Sequence, residues 1–435
     1  MTEVVIRETK VLKGEVCAPP SKAYTQRMLI ASALSQGTSK ISNPLISEDT
    51  QATMDAVKIL GAEIETLDSC WVVKGNMPLS GSKKPIDCGE SGATLRFVIP
   101  VAALATKPSK FVLGSGLARR PIEPLLESLR QLGTETAVQK KRNGKMSIQV
   151  KGGGIRGGKA SMPGDVSSQF VSGLMFACPL AKTDTKLTIT SPLESKNYVL
   201  ITERILERHG VKVEIAEDFS RVNIPGNQTY KPVDGRVPGD FSSAAFLLSA
   251  AAITDSDVVV KNLDHKKVQG DKAILQILQQ MGVEGKVCED SVEIEGKHEL
   301  LRAVETDARD IPDLVPICAA LACFAEGTSR ICNAERLRLK ESDRLSSLYS
   351  ELTKMGAEMT MDQSSLTIKG PCRLHGASID PHNDHRIAMA CSVAALGATG
   401  ETVIQDAECV RKSYPDFFID LRKIGAEVVG GEFDR

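Results

Sequence analysis

The chain of 435 residues has no excess charge of either sign: 54 Lys and Arg stand against 55 Asp and Glu. No domain-wide basic field therefore argues for nucleic acid or for an anionic membrane surface, and any basic site has to be local. Long apolar runs are also missing. The longest are broken within about 12 residues, short of the roughly 20 that span a bilayer. The opening segment, MTEVVIRETKVLKGEV, alternates like a strand and lacks the basic and apolar regions of an export signal, so a cytoplasmic location is expected. None of the eleven cysteines forms a CxxC pair, and several sit in apolar runs such as VPICAALACFA. They read as buried free thiols of a reducing compartment. There is no HExxH, no Cys/His cluster at metal spacing and no EF-hand phrase, so no metal is expected. The GGGIRGG stretch at 152–158 lacks the Lys-Ser/Thr of a P-loop and reads as a turn.

What the chain does have is repetition. A phrase of the type KILGAEIE recurs as RQLGTETA, ERHGVKVEI, QQMGVEGKV, TKMGAEMTM and RKIGAEVV, with glycines at 61, 133, 210, 282, 356 and 425. In each copy an amphipathic helix stops at a glycine suited to the left-handed position just past a helix end, and a short strand follows. A second series has similar spacing: SKAYTQRMLIASAL, ESGATLRFVIPVAALA, DVSSQFVSGLMFACPLA, DFSSAAFLLSAAAI, IPDLVPICAALACFA and DHRIAMACSVAALGA. These helices are apolar nearly all round and so belong inside the fold, with only their polar openings wet. Each unit reads as an α/β repeat. A chain of this length exceeds one hydrophobic core, and the Gly/Pro stretches at 14–20 and 225–239 divide the six units three and three. Those two stretches read as the strands of a hinge between two domains, residues 1–19 with 238–435 and residues 20–237.

Lys22, Arg27, Arg96, Arg120, Lys340, Arg344, Arg386 and Lys412 fall at or near the helix openings. Backbone N–H groups at such ends already favour anions, so the expected ligand carries several negative charges. AERLRLKESDRLSSL would by itself read as a solvated, salt-bridged helix face. Its Lys340, Glu341 and Arg344 would stand in a helix's first turn, however, with an acid/base group between two anion clamps. Asp313, in DIPDLVP, reads equally well as a helix cap.

Together, PPSKAYTQR, RRPIEP, GDVSSQF, IPDLVP, RLKESDR, NDHRIAMA and RKSYPD resemble the 5-enolpyruvylshikimate-3-phosphate synthases, in order and spacing, from residue 13 to about 418. The resemblance implies the enolpyruvyl transferase fold, an inverse α/β barrel: two domains, each of three βαβαββ repeats around a pseudo-threefold axis, with the active site in the cleft between them. It implies transfer of the enolpyruvyl group of phosphoenolpyruvate to shikimate 3-phosphate, without a cofactor. By that resemblance Lys22 touches both substrates and Arg27 lies in the cleft. Ser167, Ser168, Ser195 and Lys340 hold the phosphate of shikimate 3-phosphate, and Gln169 and Asp313 serve its ring. Gly92, Arg120, Arg344, Arg386 and Lys412 belong to phosphoenolpyruvate. Asp313 would take the hydroxyl proton, Glu341 would handle the methyl-group protons, and Lys22 would support the departing phosphate. Three positions depart from the family's commonest pattern: Ala23 in place of serine, Glu90 in place of asparagine, and Arg336 in place of asparagine. The rival reading is the sister enzyme that acts on a UDP-linked amino sugar, UDP-N-acetylglucosamine enolpyruvyl transferase. Its reactive cysteine has no counterpart in FVLGSGLARRPI. The balanced charge favours a monomer that binds small molecules and neither nucleic acid nor membrane.

Overall fold

A computed structural model describes residues 2–81, 84–140, 146–296 and 301–432. Contacts divide the chain into two compact units, Met1–Pro19 with Pro238–Arg435, and Pro20–Val237. The described strands form six mixed sheets, three in each unit.

All six sheets follow one rule. In the second repeat, Ile86–Asp87 runs parallel to Ser109–Val112. That strand pairs antiparallel with Met146–Val150, which pairs antiparallel with Thr136–Lys140. Between the strands lie a buried helix, Gly92–Ala103, and an amphipathic one, Glu123–Gln131. The order follows from chain geometry, since parallel neighbours need a crossover of a dozen or more residues whereas antiparallel ones can be joined by a hairpin. The repeat is therefore βαβαββ. Two repeats are completed by strands distant in sequence: Gly235–Arg236 pairs with Gly37–Ser42, and Val4–Arg7 pairs with both Glu401–Ile404 and Val428–Val429. A third takes Val11–Cys17, parallel to Asp255–Lys261.

Gly14–Cys17 thus lie within a paired strand, so within the first Gly/Pro stretch the boundary between the two units comes only at its end, at Pro19 and Pro20. Strand pairing over seven residues outweighs one glycine's local freedom.

The buried helices are α1 (Lys22–Ala33), α2 (Gly92–Ala103), α3 (Ser168–Ala177), α4 (Phe241–Ala252), α5 (Val315–Ala322) and α6 (His385–Leu396). Every residue of α2, α4, α5 and α6 is buried, including Arg96 and Arg386. The amphipathic helices differ. Glu123–Gln131 buries Leu125, Leu126, Ser128 and Leu129 and leaves its charged face outside. Each of the six repeat glycines has positive φ, from +76° at Gly210 to +116° at Gly61. A side chain there would meet its own backbone, which is why glycine ends these helices.

The cysteines correct one expectation. Six are buried, but Cys17 is exposed and Cys70, Cys288, Cys332 and Cys372 are only half-buried. Among the described residues no helix is long and apolar enough to cross a membrane.

Candidate active site

In the unit formed by 1–19 and 238–435, the beginnings of the three buried helices meet. Arg386, in the first turn of α6, donates through Nη1 to the carbonyl oxygen of Ser242 in α4 (3.4 Å) and to that of Asp313 just ahead of α5 (3.2 Å). Its Nη2 lies 3.3 Å from Asp313 Oδ2. Three helix N-termini at one place concentrate partial positive charge, which suits bound anions.

Arg344 organises the charged groups around them. Its side chain is 1% exposed and each face of the guanidinium fork is used: Nε donates to Asp384 Oδ2, Nη1 to Asp313 Oδ1 and Nη2 to Glu341 Oε2, all at 2.8 Å. Asp384, wholly buried, caps α6 by accepting from Arg386 N (3.0 Å) and also accepts from Ser342 Oγ (3.2 Å). Removing one member of such a buried pair typically costs about 3–5 kcal/mol, because the partner charge stays behind in a dry site. The network therefore fixes both candidate acid/base carboxylates.

The electrostatics set their charge states. Burial opposes ionisation of Asp313, but Arg386, Lys340 and Arg344 together hold its carboxyl well below the usual range. Lys340 Nζ lies 3.8 Å from Asp313 Oδ1. Burial lowers its ammonium to about 7, with Arg336 and Arg344 adding to the shift and Asp313 opposing it. Burial likewise lifts Asp271 to about 7; the Asp313 charge reinforces this, while Arg386 and a bond from the Ser242 hydroxyl oppose it. This unit thus holds a permanent anion beside an amine that titrates near neutrality. Such a pairing of perturbed groups is characteristic of functional sites.

Two expectations about this cluster need correction. Lys340 and Glu341 are not in a helix's first turn: Lys340 ends a 3₁₀ segment, Glu335–Leu339, with extended backbone, and the α-helix begins at Arg344. Asp343 accounts for the boundary, since its carboxylate accepts from Ser346 N (3.1 Å) and caps the helix there. Asp313 is not a cap either. Helix α5 starts at Val315 after Leu314, and the Asp313 carboxylate is used by the cations. Lys412, 5% exposed, closes a 3₁₀ helix, Ala407–Lys412, and no hydrogen bond or ion pair links it to Asp313, Glu341 or Asp384 among the described residues.

In the unit formed by 20–237 the cations also gather near helix beginnings, though less uniformly than the sequence suggested. Lys22 opens α1 and pairs with Asp49 (3.0 Å). Arg27 lies a turn further in and is 2% exposed. It donates to Thr202 Oγ1 (2.8 Å) and to Ala23 O (3.1 Å), and stands over the rings of Phe97 (4.8 Å) and Tyr198 (5.7 Å). Burial lowers it to about 10, with Tyr198 and Tyr24 in opposition. Arg96, in α2, donates through Nη1 to Gln169 Oε1 in α3 (2.7 Å) and through Nη2 to Pro121 O (3.3 Å). Ser167 caps α3 by accepting from Gln169 N (3.3 Å), and Ser168 is α3's first residue. Ser195, 2% exposed, precedes the helix Lys196–Arg208 with left-handed backbone, φ 55°.

Gly92 and Arg120 fit each other. A Cβ on Gly92 would come within 2.9 Å of Arg120 Nη1, so the bare backbone at the opening of α2 is what admits the guanidinium. Arg120 itself follows a 3₁₀ turn, Leu117–Arg119. That turn is held by Glu90, whose carboxylate accepts from Gly116 N (3.0 Å) and Leu117 N (2.6 Å). Gly114 and Gly116 make room for it: a Cβ on either would fall 2.2 and 2.6 Å from a Glu90 oxygen. The departure at Glu90 is therefore a strut beneath the Arg120 segment. Ala23 offers only its carbonyl, to Arg27, and the buried Arg336 donates to Arg309 O (3.4 Å).

Sequence reasoning passed over Asp384, Asp49 and Asp271. Asp384 and Asp49 sit at helix openings, where an acid reads as a cap or dipole partner, and the arginine or lysine each one holds is 27 to 40 residues away.

The chain shares its fold with solved enolpyruvyl transferases. The EPSP synthase of Acinetobacter baumannii superposes with a TM-score of 0.82 at 26% identity, covering 99% of this chain and 100% of that one. The enolpyruvyl transferase NikO from Streptomyces tendae gives 0.80 at 20% identity, with 99% of each chain covered. More narrowly, residues 6–421 match the model of the EPSP synthase family (3-phosphoshikimate 1-carboxyvinyltransferase), and the chain belongs to that family. Among its relatives, the 3-phosphoshikimate 1-carboxyvinyltransferases of Methanocaldococcus jannaschii and Clostridium kluyveri are each 42% identical to it, over 98% of this chain and 99% and 98% of theirs.

Proposed function

We propose that this chain transfers the enolpyruvyl group of phosphoenolpyruvate to the 5-hydroxyl of shikimate 3-phosphate and releases inorganic phosphate, within aromatic amino-acid biosynthesis. The observation that carries the reading is the Arg344 network: two carboxylates, Asp313 and Glu341, held at 2.8 Å from one buried guanidinium beside Lys340 and Arg386. Each substrate brings a carboxylate and a phosphate, the latter carrying about −1.5 to −2 charges near neutrality. Their mutual repulsion has to be offset by fixed cations.

Shikimate 3-phosphate is held through its phosphate by Ser167, Ser168, Ser195 and Lys340, and through its ring by Gln169 and Asp313, with Arg27 close by. Phosphoenolpyruvate takes Arg120 across Gly92, together with Arg344, Arg386 and Lys412. Asp313, kept ionised by its cations, accepts the 5-hydroxyl proton as the oxygen attacks. Glu341 delivers and later withdraws a proton at the methylene carbon, and Lys22 stabilises and protonates the departing phosphate. The protein acts in the cytoplasm as a monomer. The test is phosphate release by purified protein. Release should require both substrates together; release with a UDP-linked amino sugar in place of shikimate 3-phosphate would overturn the assignment.

A further inference from the structure

Away from the groups just described, two cysteines far apart in sequence lie side by side. Cys323, fully buried, ends α5; Cys372 is half-buried and follows the strand Leu366–Gly370. The Cys372 N–H donates to the Cys323 carbonyl at 2.7 Å. A direct main-chain bond of this kind places the two backbones near the separation a disulfide spans, about 4.4–6.8 Å between Cα atoms. The side chains interact as well, thiol against thiol. Cys372 Sγ also accepts from Glu358 N (3.4 Å) and, as the thiol, donates to Lys369 O (3.3 Å), while the Cys323 thiol donates to Ala319 O (3.4 Å).

The pair is polarised. The bond from Cys323 chiefly, aided by the Glu358 N–H and opposed by burial and the Glu358 charge, lowers the Cys372 thiol to about 6. The same bond, with burial, pushes Cys323 up. Of the two, Cys372 is the more exposed and the more readily ionised. Cys88, Cys178, Cys318, Cys391 and Cys409 are all pushed up by burial, so Cys372 stands apart from them. An accessible thiolate beside a second thiol is the arrangement that reacts with peroxides and then closes a disulfide.

We propose that Cys372 and Cys323 form an oxidisable dithiol whose co-substrate is a hydroperoxide, with Cys372 as the attacking sulfur and Cys323 as the resolving one. The Cys372 thiolate attacks the peroxide's terminal oxygen and breaks the O–O bond, giving a sulfenic acid and, with hydrogen peroxide, water after protonation. The Cys323 sulfur then attacks the sulfenic sulfur, the S–S bond forms, and a second water leaves with the Cys323 proton. Overall one peroxide is reduced and two thiols are oxidised. The product ties the C-terminal end of α5 to the turn after Gly370, in the helix whose other end adjoins Asp313.

The inference is independent of the transferase reading. The full reduced chain is treated with hydrogen peroxide, quenched with N-ethylmaleimide, and analysed by intact mass and peptide mapping. The expected first product has lost about 2 Da and two maleimide sites, with a Cys323–Cys372 linked peptide. Cys323→Ser should stop at a Cys372 sulfenic acid that dimedone traps, and Cys372→Ser should abolish the fast phase. Earlier oxidation at the exposed Cys17, or over-oxidation of Cys372 with Cys323 still free in the unmodified chain, would overturn the proposal.

Discussion

Replacing Glu90 by Gln tests whether the Arg120 segment is held as described. The carboxylate accepts two backbone N–H groups, from Gly116 and Leu117. Glutamine keeps one oxygen and sets an NH₂ against the other donor. A hydrogen bond to a charged group contributes about 1.5–3 kcal/mol, and Glu90 is only partly buried, so a loss near the lower end, about 2 kcal/mol, is expected. If the turn must re-form for Arg120 to meet phosphoenolpyruvate, that energy appears as roughly a 30-fold weaker apparent affinity for this substrate, at tenfold per 1.4 kcal/mol. Initial-rate kinetics with each substrate varied in turn should show KM for phosphoenolpyruvate rising, with KM for shikimate 3-phosphate within about twofold of the parent. Gly116→Ala should do the same, because its Cβ would lie 2.6 Å from a Glu90 oxygen. An unchanged phosphoenolpyruvate KM in both variants, or equal rises for the two substrates, would refute the strut.

Other consequences are as direct. Asp313→Ala and Glu341→Ala should each lower kcat by roughly a hundredfold or more, since general acid/base catalysis supplies about 10²–10⁴; near-normal turnover in either would remove that residue's role. Burial lowers Lys340 to about 7, so if its ammonium holds the substrate phosphate as proposed, KM for shikimate 3-phosphate should climb as pH rises through neutrality. In Lys340→Arg, whose charge persists at all working pH values, that climb should disappear. Gly282→Ala, at φ +92°, should cost about 1–2 kcal/mol and lower Tm without moving either KM.

Much of this was legible in the sequence, and what was not follows a pattern. The six glycines announced helix ends because only a residue without Cβ takes the left-handed conformation cheaply, and their spacing gave the repeat. The buried helices were legible because α2, α4 and α6 have no polar face beyond their openings. What failed was local placement. Lys340 and Glu341 looked helical from their spacing, but the cap that starts the helix is Asp343, one acid among several in the phrase. Partners across the fold were also hidden: nothing in the sequence links Arg344 to Asp384, or Glu90 to a turn 26 residues on. Those contacts depend on tertiary packing, which a periodic pattern does not encode.

The most direct test of the account is inorganic phosphate release by the purified chain, with phosphoenolpyruvate and shikimate 3-phosphate supplied singly and together, and with a parallel mixture containing a UDP-linked amino sugar. The account predicts release only from phosphoenolpyruvate with shikimate 3-phosphate. Release with the amino-sugar acceptor alone, or with neither, would contradict it.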